Sequence, residues 1–493
     1  MNRTGSGSIQ VFTVSAALVA ALLGVAIGVD PATAVVLLLG CFSIVLAVLS
    51  PIAALYASVV LAFSVEGLAG AHLLPASSQF LSDGLLLATA LSALLRAMRL
   101  RTARWPILAI PLLAALFVSV ASAVYNATPL LVALLGMRAL LKYSLVYVAI
   151  VMIDPGPRFL RGLPWLLVAL AFLQVPVAIA QYVAGGSDHA DLVTGTLSPG
   201  MSGVLAIWLI FTIGFAFRLQ STREPRARLL TRLAPLLLLI PVALNSTTIT
   251  FVLAPVVVLW VLFSPGMMQN RTRALGVSLV LVLGVGLAYS VYLSGGGLPV
   301  TDVGAVRQYM TTQYSRGNDA GGRMRRIPMA SFAVATVRSG SAVVLGYGPG
   351  SASKRVLAGV AGTLSEANPN AGLTESFFSQ LTLELGLAGW LALGLLLAGV
   401  ARMWAAGKRR VLSNYAQAII GATLFLALLQ TVLVLYAPVW TAPALAVSFW
   451  SLAGLSECLV RGSANVATGS SVGSDSSLLR TRQDAAGIPL LQR

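Results

Sequence analysis

Unbroken apolar runs of about 17–25 residues recur along nearly the whole chain, and no other feature restricts its fold as tightly. Each run is long enough to cross a bilayer. In hydrocarbon every backbone N–H and C=O must find a partner within the protein, so spanning segments are helices or strands of a closed barrel. Barrel strands alternate apolar and polar residues over about ten positions, whereas these runs are apolar throughout. Composition agrees: the chain is 58% hydrophobic and 10% charged, and a soluble protein carries about 25% charged residues. Too little charge remains to coat a water-facing surface. The expected fold is an all-α polytopic membrane protein with about 12–14 transmembrane helices and one large extracytoplasmic loop.

The expected spans lie near residues 11–29, 33–50, 51–68, 82–97, 106–125, 130–152 and 163–184, then 201–218, 229–244, 248–264, 275–294, 381–401, 415–436 and 440–457. Residues 1–294 form a first membrane domain, 295–380 the large loop with an amphipathic helix, and 381–457 the C-terminal membrane helices. The tail, 458–493, is rich in Ser, Gly and Ala and reads as disordered and cytoplasmic. Met1-Asn2-Arg3 before the apolar run from Val11 resembles a signal peptide. A second run follows at once after Asp30-Pro31, which favours an uncleaved first helix.

The net charge of +17 is distributed in a way that argues against nucleic acid as a partner. With the N-terminus inside, the loops assigned to the cytoplasm hold Arg96, Arg99, Arg101 and Arg104, then Arg158 and Arg161, then Arg218 to Arg232, Arg271 and Arg273, and Arg402 to Arg410. The short loops assigned outside hold Asp30, Glu66, His72, Asp188, His189 and Asp191, and no Lys or Arg. This is the positive-inside pattern, with both termini cytoplasmic. Cys41 and Cys458 lack metal-ligand spacing and read as small packing residues, and with two histidines in the chain a histidine metal cluster is not expected. No Gly-rich Lys loop for ATP is present. No cofactor is expected.

One loop departs from the charge pattern. Residues 295–380 carry Arg307, Arg316, Arg323, Arg325, Arg326, Arg338, Lys354 and Arg355 against Asp302, Asp319, Glu366 and Glu375. A basic surface of this kind calls for an anionic partner, and the planar fork of arginine suits phosphate. Arg323 to Phe332 reads as a helix entry and an amphipathic stretch to about Val337. Gly346-Tyr347-Gly348-Pro349-Gly350 reads as a tight turn. Glu375 precedes the next span, where it serves either as a capping acid favoured by the helix dipole or as a functional carboxylate. Arg138 and Lys142 lie four apart within the sixth span, facing a partner or cavity or snorkelling to the surface. Asp83 begins the fourth span, as a dipole partner or a site residue.

At these residues the chain resembles the O-antigen ligase/polymerase superfamily of bacterial envelope glycan enzymes. The matching elements are Gly322-Arg323, the amphipathic segment, Gly346-Tyr347-Gly348-Pro349-Gly350, and Glu384-Leu385-Gly386-Leu387-Ala388-Gly389 at the next span. Thr194 to Pro199 resembles a further stretch of the family. Three positions differ. Glu375 stands where the ligases carry histidine, Ser376 where they carry asparagine, and Asn245-Ser246-Thr247-Thr248 where the family has Ser-Arg.

The resemblance implies a metal-independent, inverting transfer of a glycan from a polyprenyl-diphosphate carrier to an acceptor hydroxyl. The reaction would occur at the outer face of the bacterial cytoplasmic membrane, with polymerase favoured over ligase. Its partners would be the lipid-linked oligosaccharide, an acceptor glycan or lipid, the bilayer, and other envelope glycan assembly proteins. On this reading Arg323 holds the diphosphate with Arg325, Arg326, Arg138 and Lys142 in support, and Glu375 takes the acceptor proton. Glu366, Asp319 and His189 are weaker candidates for the base. Two other classes remain: a flippase or other polytopic transporter, and a non-catalytic partner in polysaccharide assembly.

Overall fold

A computed structural model describes residues 31–70, 74–75, 78–101, 105–185, 193–220, 236–245, 247–263, 271–294, 302–309, 311, 323–338, 340–354, 360–410 and 412–469. Described in chain order, the helices are α1 (Pro31–Leu49), α2 (Pro51–Gly70), α3 (Gln79–Arg99), α4 (Ala109–Tyr125), α5 (Leu130–Leu141), α6 (Ser144–Ile153), α7 (Pro157–Gly185), α8 (Ser202–Gln220) and α9 (Leu239–Leu244). They continue with α10 (Thr248–Leu262), α11 (Arg271–Ser294), α12 (Val303–Tyr309), α13 (Arg326–Thr336), α14 (Ala342–Leu345), α15 (Thr363–Ala367), α16 (Phe377–Lys408), α17 (Asn414–Val432) and α18 (Pro443–Gly469). No strand occurs among the described residues. Seven of these helices are long and apolar enough to cross a membrane, or eight if the bent pair α5–α6 is one span. The chain is an all-α, multi-pass membrane protein.

Local chemistry sets many boundaries. Pro31, Pro51, Pro157 and Pro443 each open a helix, where the missing N–H costs nothing and the fixed φ is already helical. Ser376 and Ser413 cap α16 and α17 by accepting from the amides of Ser379 and Ala416. Asp154, in the left-handed region at φ 45°, ends α6 just before Pro155.

α8 and α18 form the centre of the bundle, each buried over most of its length. Small residues on α18, among them Ala446, Ser451, Ala453 and Gly454, let neighbouring backbones approach closely. A methyl group on Gly454 would lie 2.9 Å from Ile150 Cβ of α6. Around this centre Trp208 Nε1 donates to Ser448 Oγ (2.9 Å), and Trp260 stacks on Phe425 with ring centroids 4.2 Å apart.

A buried network closes the opposite end from the large loop. The carboxylate of Glu457 (α18), fully buried, accepts from the Ile107 amide through both oxygens (3.0 Å each) and from Tyr147 Oη, and pairs with Arg461. It thereby satisfies an amide at the entry to α4 that the helix itself leaves unpaired. Glu457→Ala is expected to lower stability by about 3 kcal/mol, because it removes the acceptor of the Ile107 amide and the Tyr147 hydroxyl and the charge partner of Arg461, which keeps only the Trp105 carbonyl. Thermal unfolding of the detergent-solubilised protein checks this, and an unchanged midpoint would count against the network.

Two expectations change, and others fall partly outside the described residues. The sixth span, 130–152, is two helices meeting at 61°; Lys142 and Tyr143 lie at the corner, held by charges described below. The chain does not leave helical structure at 458, since α18 continues to Gly469, and Cys458 and Val460 remain buried in the bundle. Within 229–244, the described helix is the short α9, while 229–235, the first span 11–29 and the tail beyond 469 lie outside the described residues.

Candidate functional site

The glycine turn is the organising element of the large loop. At Gly386 the backbone leaves the helical region (φ 58°, ψ −149°), breaking α16. The break frees the carbonyls of Leu383 and Glu384 from their normal partners one turn later. Both are satisfied from the turn: Tyr347 N donates to Leu383 O (2.8 Å) and Gly348 N to Glu384 O (3.1 Å). Ser122 Oγ of α4 donates to Leu345 O at the head of the turn and lies 3.1 Å from Glu384 O. Gly346 mirrors Gly386, with φ 64° and ψ −153°. The two pack backbone to backbone, and a Cβ on Gly346 would lie 2.6 Å from Leu385 N. Gly350 sits against the Val132 carbonyl of α5, and Gly348 against Thr128. These glycines therefore dock the loop between α4, α5 and α16, which their sequence signature as a turn did not reveal.

The turn also encloses an acid. The Glu384 side chain is fully buried. Around its carboxylate lie the backbone amides of Gly350 and Ala352 and the side chains of Gln380 and Ser353, although none is aligned as a full hydrogen bond. Sequence reading used Glu384 as a motif anchor and assigned it no role.

The same scaffold positions Glu375. Glu375 N donates to Gly372 O (2.9 Å), and the next residues are tied to the end of α17 through Ser376 Oγ to Val434 O (3.1 Å) and Phe378 N to Val434 O (2.9 Å). From α13, Arg326 Nη1 reaches Glu375 Oε2 (2.9 Å), and Arg323 Nη1 reaches Oε1 (3.2 Å). Tyr347 Oη donates to Thr336 O (2.9 Å), locking α13 to the glycine turn. A small core of Ala333, Val337, Ala352, Leu373 and Leu383 fills the space beneath. Both sides of the Arg–Glu group are thus referred to one helix, α16. Glu375 is not in the first turn of that helix: Ser376 is the cap, and the acid is held by arginines rather than by the dipole. Each carboxylate oxygen retains a second lone pair.

Arg323 is the more open of the two cations, its side chain 57% exposed against 28% for Arg326. Arg325 immediately precedes α13, and its carbonyl accepts from Met329 N (2.9 Å). Gly322, Asp319, His189 and its neighbour Asp188 lie outside the described residues. Glu366 lies in α15, apart from the arginines by every contact described.

Arg138 and Lys142 form a second group. Arg138 donates to Asp83 and lies over the Phe80 ring (4.7 Å). Lys142 Nζ bridges Glu66 Oε1 (3.1 Å) and Asp83 Oδ1 (3.6 Å). Among the described residues no ion pair links this group to Arg323, Arg326 or Glu375. The acids were visible in the sequence, but as a loop residue and a helix start; both lie inside helices, Glu66 one turn from the end of α2 and Asp83 one turn into α3. Charge of both signs in one crevice balances, which lowers the cost of keeping it in the membrane. It also pins the α5–α6 corner to α2 and α3. Asp83→Asn is expected to destabilise the protein by about 2 kcal/mol, since it leaves two cations facing Glu66 alone. The melting temperature should fall by several degrees, and in a double-mutant cycle with Arg138→Gln the two losses should not add.

Thr194 to Pro199 also finds its place. Gln174 and Gln181 of α7 hold the amides of Thr194, Gly195 and Thr196, and Thr196 Oγ1 donates to Phe63 O (2.9 Å). The segment packs against the C-terminal part of α2, at Phe63, Gly67 and Gly70. No group of three or more His, Cys, Asp or Glu residues suited to a metal occurs among the described residues.

No model of a known protein family matches the chain, and no curated protein matches it.

Proposed function

We propose that this protein is a membrane glycosyltransferase. It polymerises, or transfers to an acceptor hydroxyl, a glycan carried on a polyprenyl diphosphate at the outer face of the bacterial cytoplasmic membrane. The observation that carries this reading is the clamp of Arg323 and Arg326 on Glu375, held rigidly at the point where α16 enters the membrane domain. The order of motifs shared with the O-antigen ligase/polymerase superfamily supports it.

In this mechanism the open guanidinium of Arg323, with Arg325 and Arg326, binds the diphosphate and stabilises the charge that develops as the glycosidic C–O bond breaks. Glu375 accepts the proton of the acceptor hydroxyl as its oxygen bonds to the anomeric carbon from the opposite face, inverting that centre. Binding of diphosphate draws Arg323 from Glu375, which frees that carboxylate oxygen for the acceptor. Arg138 and Lys142 add positive charge near the carrier headgroup by exchanging their carboxylate partners.

A second reading has its own support. Two discontinuous helices, α5–α6 at Lys142 and α16 at Gly386 beside the buried Glu384, are features of transporters that bind substrate at broken helices. One experiment separates the two: purified protein with a lipid-diphosphate oligosaccharide donor, and no added metal, assayed for elongated or transferred glycan. Product formation supports the transferase. Absence of product with movement of lipid-linked glycan across liposomes would make the protein a transporter.

A further inference from the structure

Helices α13 and α14 leave apolar side chains uncovered on the large loop. Met329, Ala333 and Val337 recur every fourth residue and are buried, the last two in the small core beneath the glycine turn. The opposite face of α13 carries Ile327, Ser331, Val334 and Ala335, with Ile327 and Val334 each 49% exposed. α14 adds Val343 and Val344, 40% and 52% exposed. A clustered apolar surface of this kind marks a place that something covers.

Two observations choose the cover. The first is continuity with the membrane-facing surface. A Cβ on Gly386 would lie 2.8 Å from Val343 O and 2.8 Å from the carbonyl carbon of Val344, and Leu345 O accepts from Ser122 Oγ of the apolar α4. From Gly386 onward α16 is a membrane-spanning helix, and its Leu387 and Leu391 stand out from the bundle. Val343 and Val344 therefore extend that lipid-facing surface at the helix break. The second is charge. From Arg323 to Lys354 the chain carries five basic residues and no acid. Exposed Arg323 and Arg338 flank the apolar face of α13 at its two ends. An apolar helix face bordered by arginine is suited to the headgroup region, with the arginine stems reaching up to phosphate.

We propose that α13 and α14 lie on the bilayer, with Ile327, Val334, Val343 and Val344 inserted into the leaflet on the loop's side and Arg338 paired with anionic phospholipid headgroups. The inference goes beyond the transferase reading and does not need it, since it places this part of the loop on lipid whatever reaction the site performs. It also gives the Arg–Glu clamp its depth. Arg323 and Arg326 stand at the start of α13, so a helix lying in the interface holds them at the level of the headgroup phosphates.

The test uses full-length protein in nanodiscs of phosphatidylethanolamine and phosphatidylglycerol. A bimane label is attached at Val334→Cys or Val344→Cys, in protein also carrying Cys41→Ala and Cys458→Ala. Both labelled positions are exposed, so the label disturbs no packing. A nitroxide-bearing phospholipid is expected to quench these labels at least about threefold more strongly than the same label at Glu366→Cys, an exposed site elsewhere on the loop. Iodide should quench the Glu366→Cys label alone. Arg338→Gln, or phosphatidylcholine in place of phosphatidylglycerol, should weaken the lipid quenching. Equal iodide quenching at all three positions would overturn the proposal, because the face would then be open to water. Protection from both quenchers would overturn it in favour of a protein partner or a second copy of the chain. Lipid quenching unchanged by either charge substitution would overturn the part given to the headgroups. Unsubstituted protein supplies an independent reading: a membrane-partitioned diazirine should label Ile327 and Val343, and their absence from the labelled peptides would overturn the proposal even if the cysteine variants failed to fold.

Discussion

Arg323→Ala is expected to reduce glycan transfer at least about 100-fold, the effect of removing one preorganised donor from a developing negative charge. The variant should still insert and accumulate. Arg323 is exposed, belongs to no buried core, and leaves Glu375 paired with Arg326 when removed. The loss should appear mainly in turnover, because charge on the diphosphate increases as the glycosidic bond breaks. Arg323→Lys is expected to recover only part of the activity, since an ammonium group retains the charge but cannot donate the paired bonds of a guanidinium. Glu375→Gln should match the alanine variant in activity, because the amide keeps contact with Arg326 yet cannot accept the acceptor proton. Steady-state assays on purified protein with a defined lipid-diphosphate donor measure both. Full activity in both variants would sink the assignment of the site.

Gly386→Ala should have the largest effect on stability, on the order of 3 kcal/mol or more. Two costs combine. The φ and ψ of 58° and −149° belong to a region that only glycine occupies readily. A Cβ there would also approach Gly346 N to 2.7 Å and Val343 O to 2.8 Å, both backbone atoms that cannot step aside. If the residue relaxed into a regular helix instead, the carbonyls of Leu383 and Glu384 would return to α16, and Tyr347 and Gly348 would lose their acceptors. The large loop would then come away from the membrane helices, and protease should cut within it. The measurement is thermal unfolding together with limited proteolysis. Gly394→Ala, on the same helix with open space at its Cα, is the control expected to change neither. A Gly386→Ala protein as stable and protease-resistant as wild type would show that the break does not carry the docking.

The membrane class, the positions of most helices and the candidate arginines were legible from hydropathy and residue type. Both are local properties: an apolar run of bilayer length has few other options in lipid. The proline starts and serine caps are local too: α2, α16 and α18 begin within about one turn of where the apolar runs place them, while α7 begins at Pro157, six residues before its expected span. Tertiary structure decided what short-range reading has no access to. Arg138 and Lys142 are separated from Asp83 and Glu66 by 55 to 76 residues, and nothing in their spacing announces that the four charges meet. Glycines 346, 348 and 350 read as a turn, yet their tolerance of positive φ serves chiefly to let backbones touch across α5 and α16. Glu384 looked like one motif residue among several until burial set it inside that turn. Residue type determined which groups can carry charge or bend the chain in a bilayer; only packing determined which of them face one another, because pairing depends on three-dimensional distance and not on order along the chain.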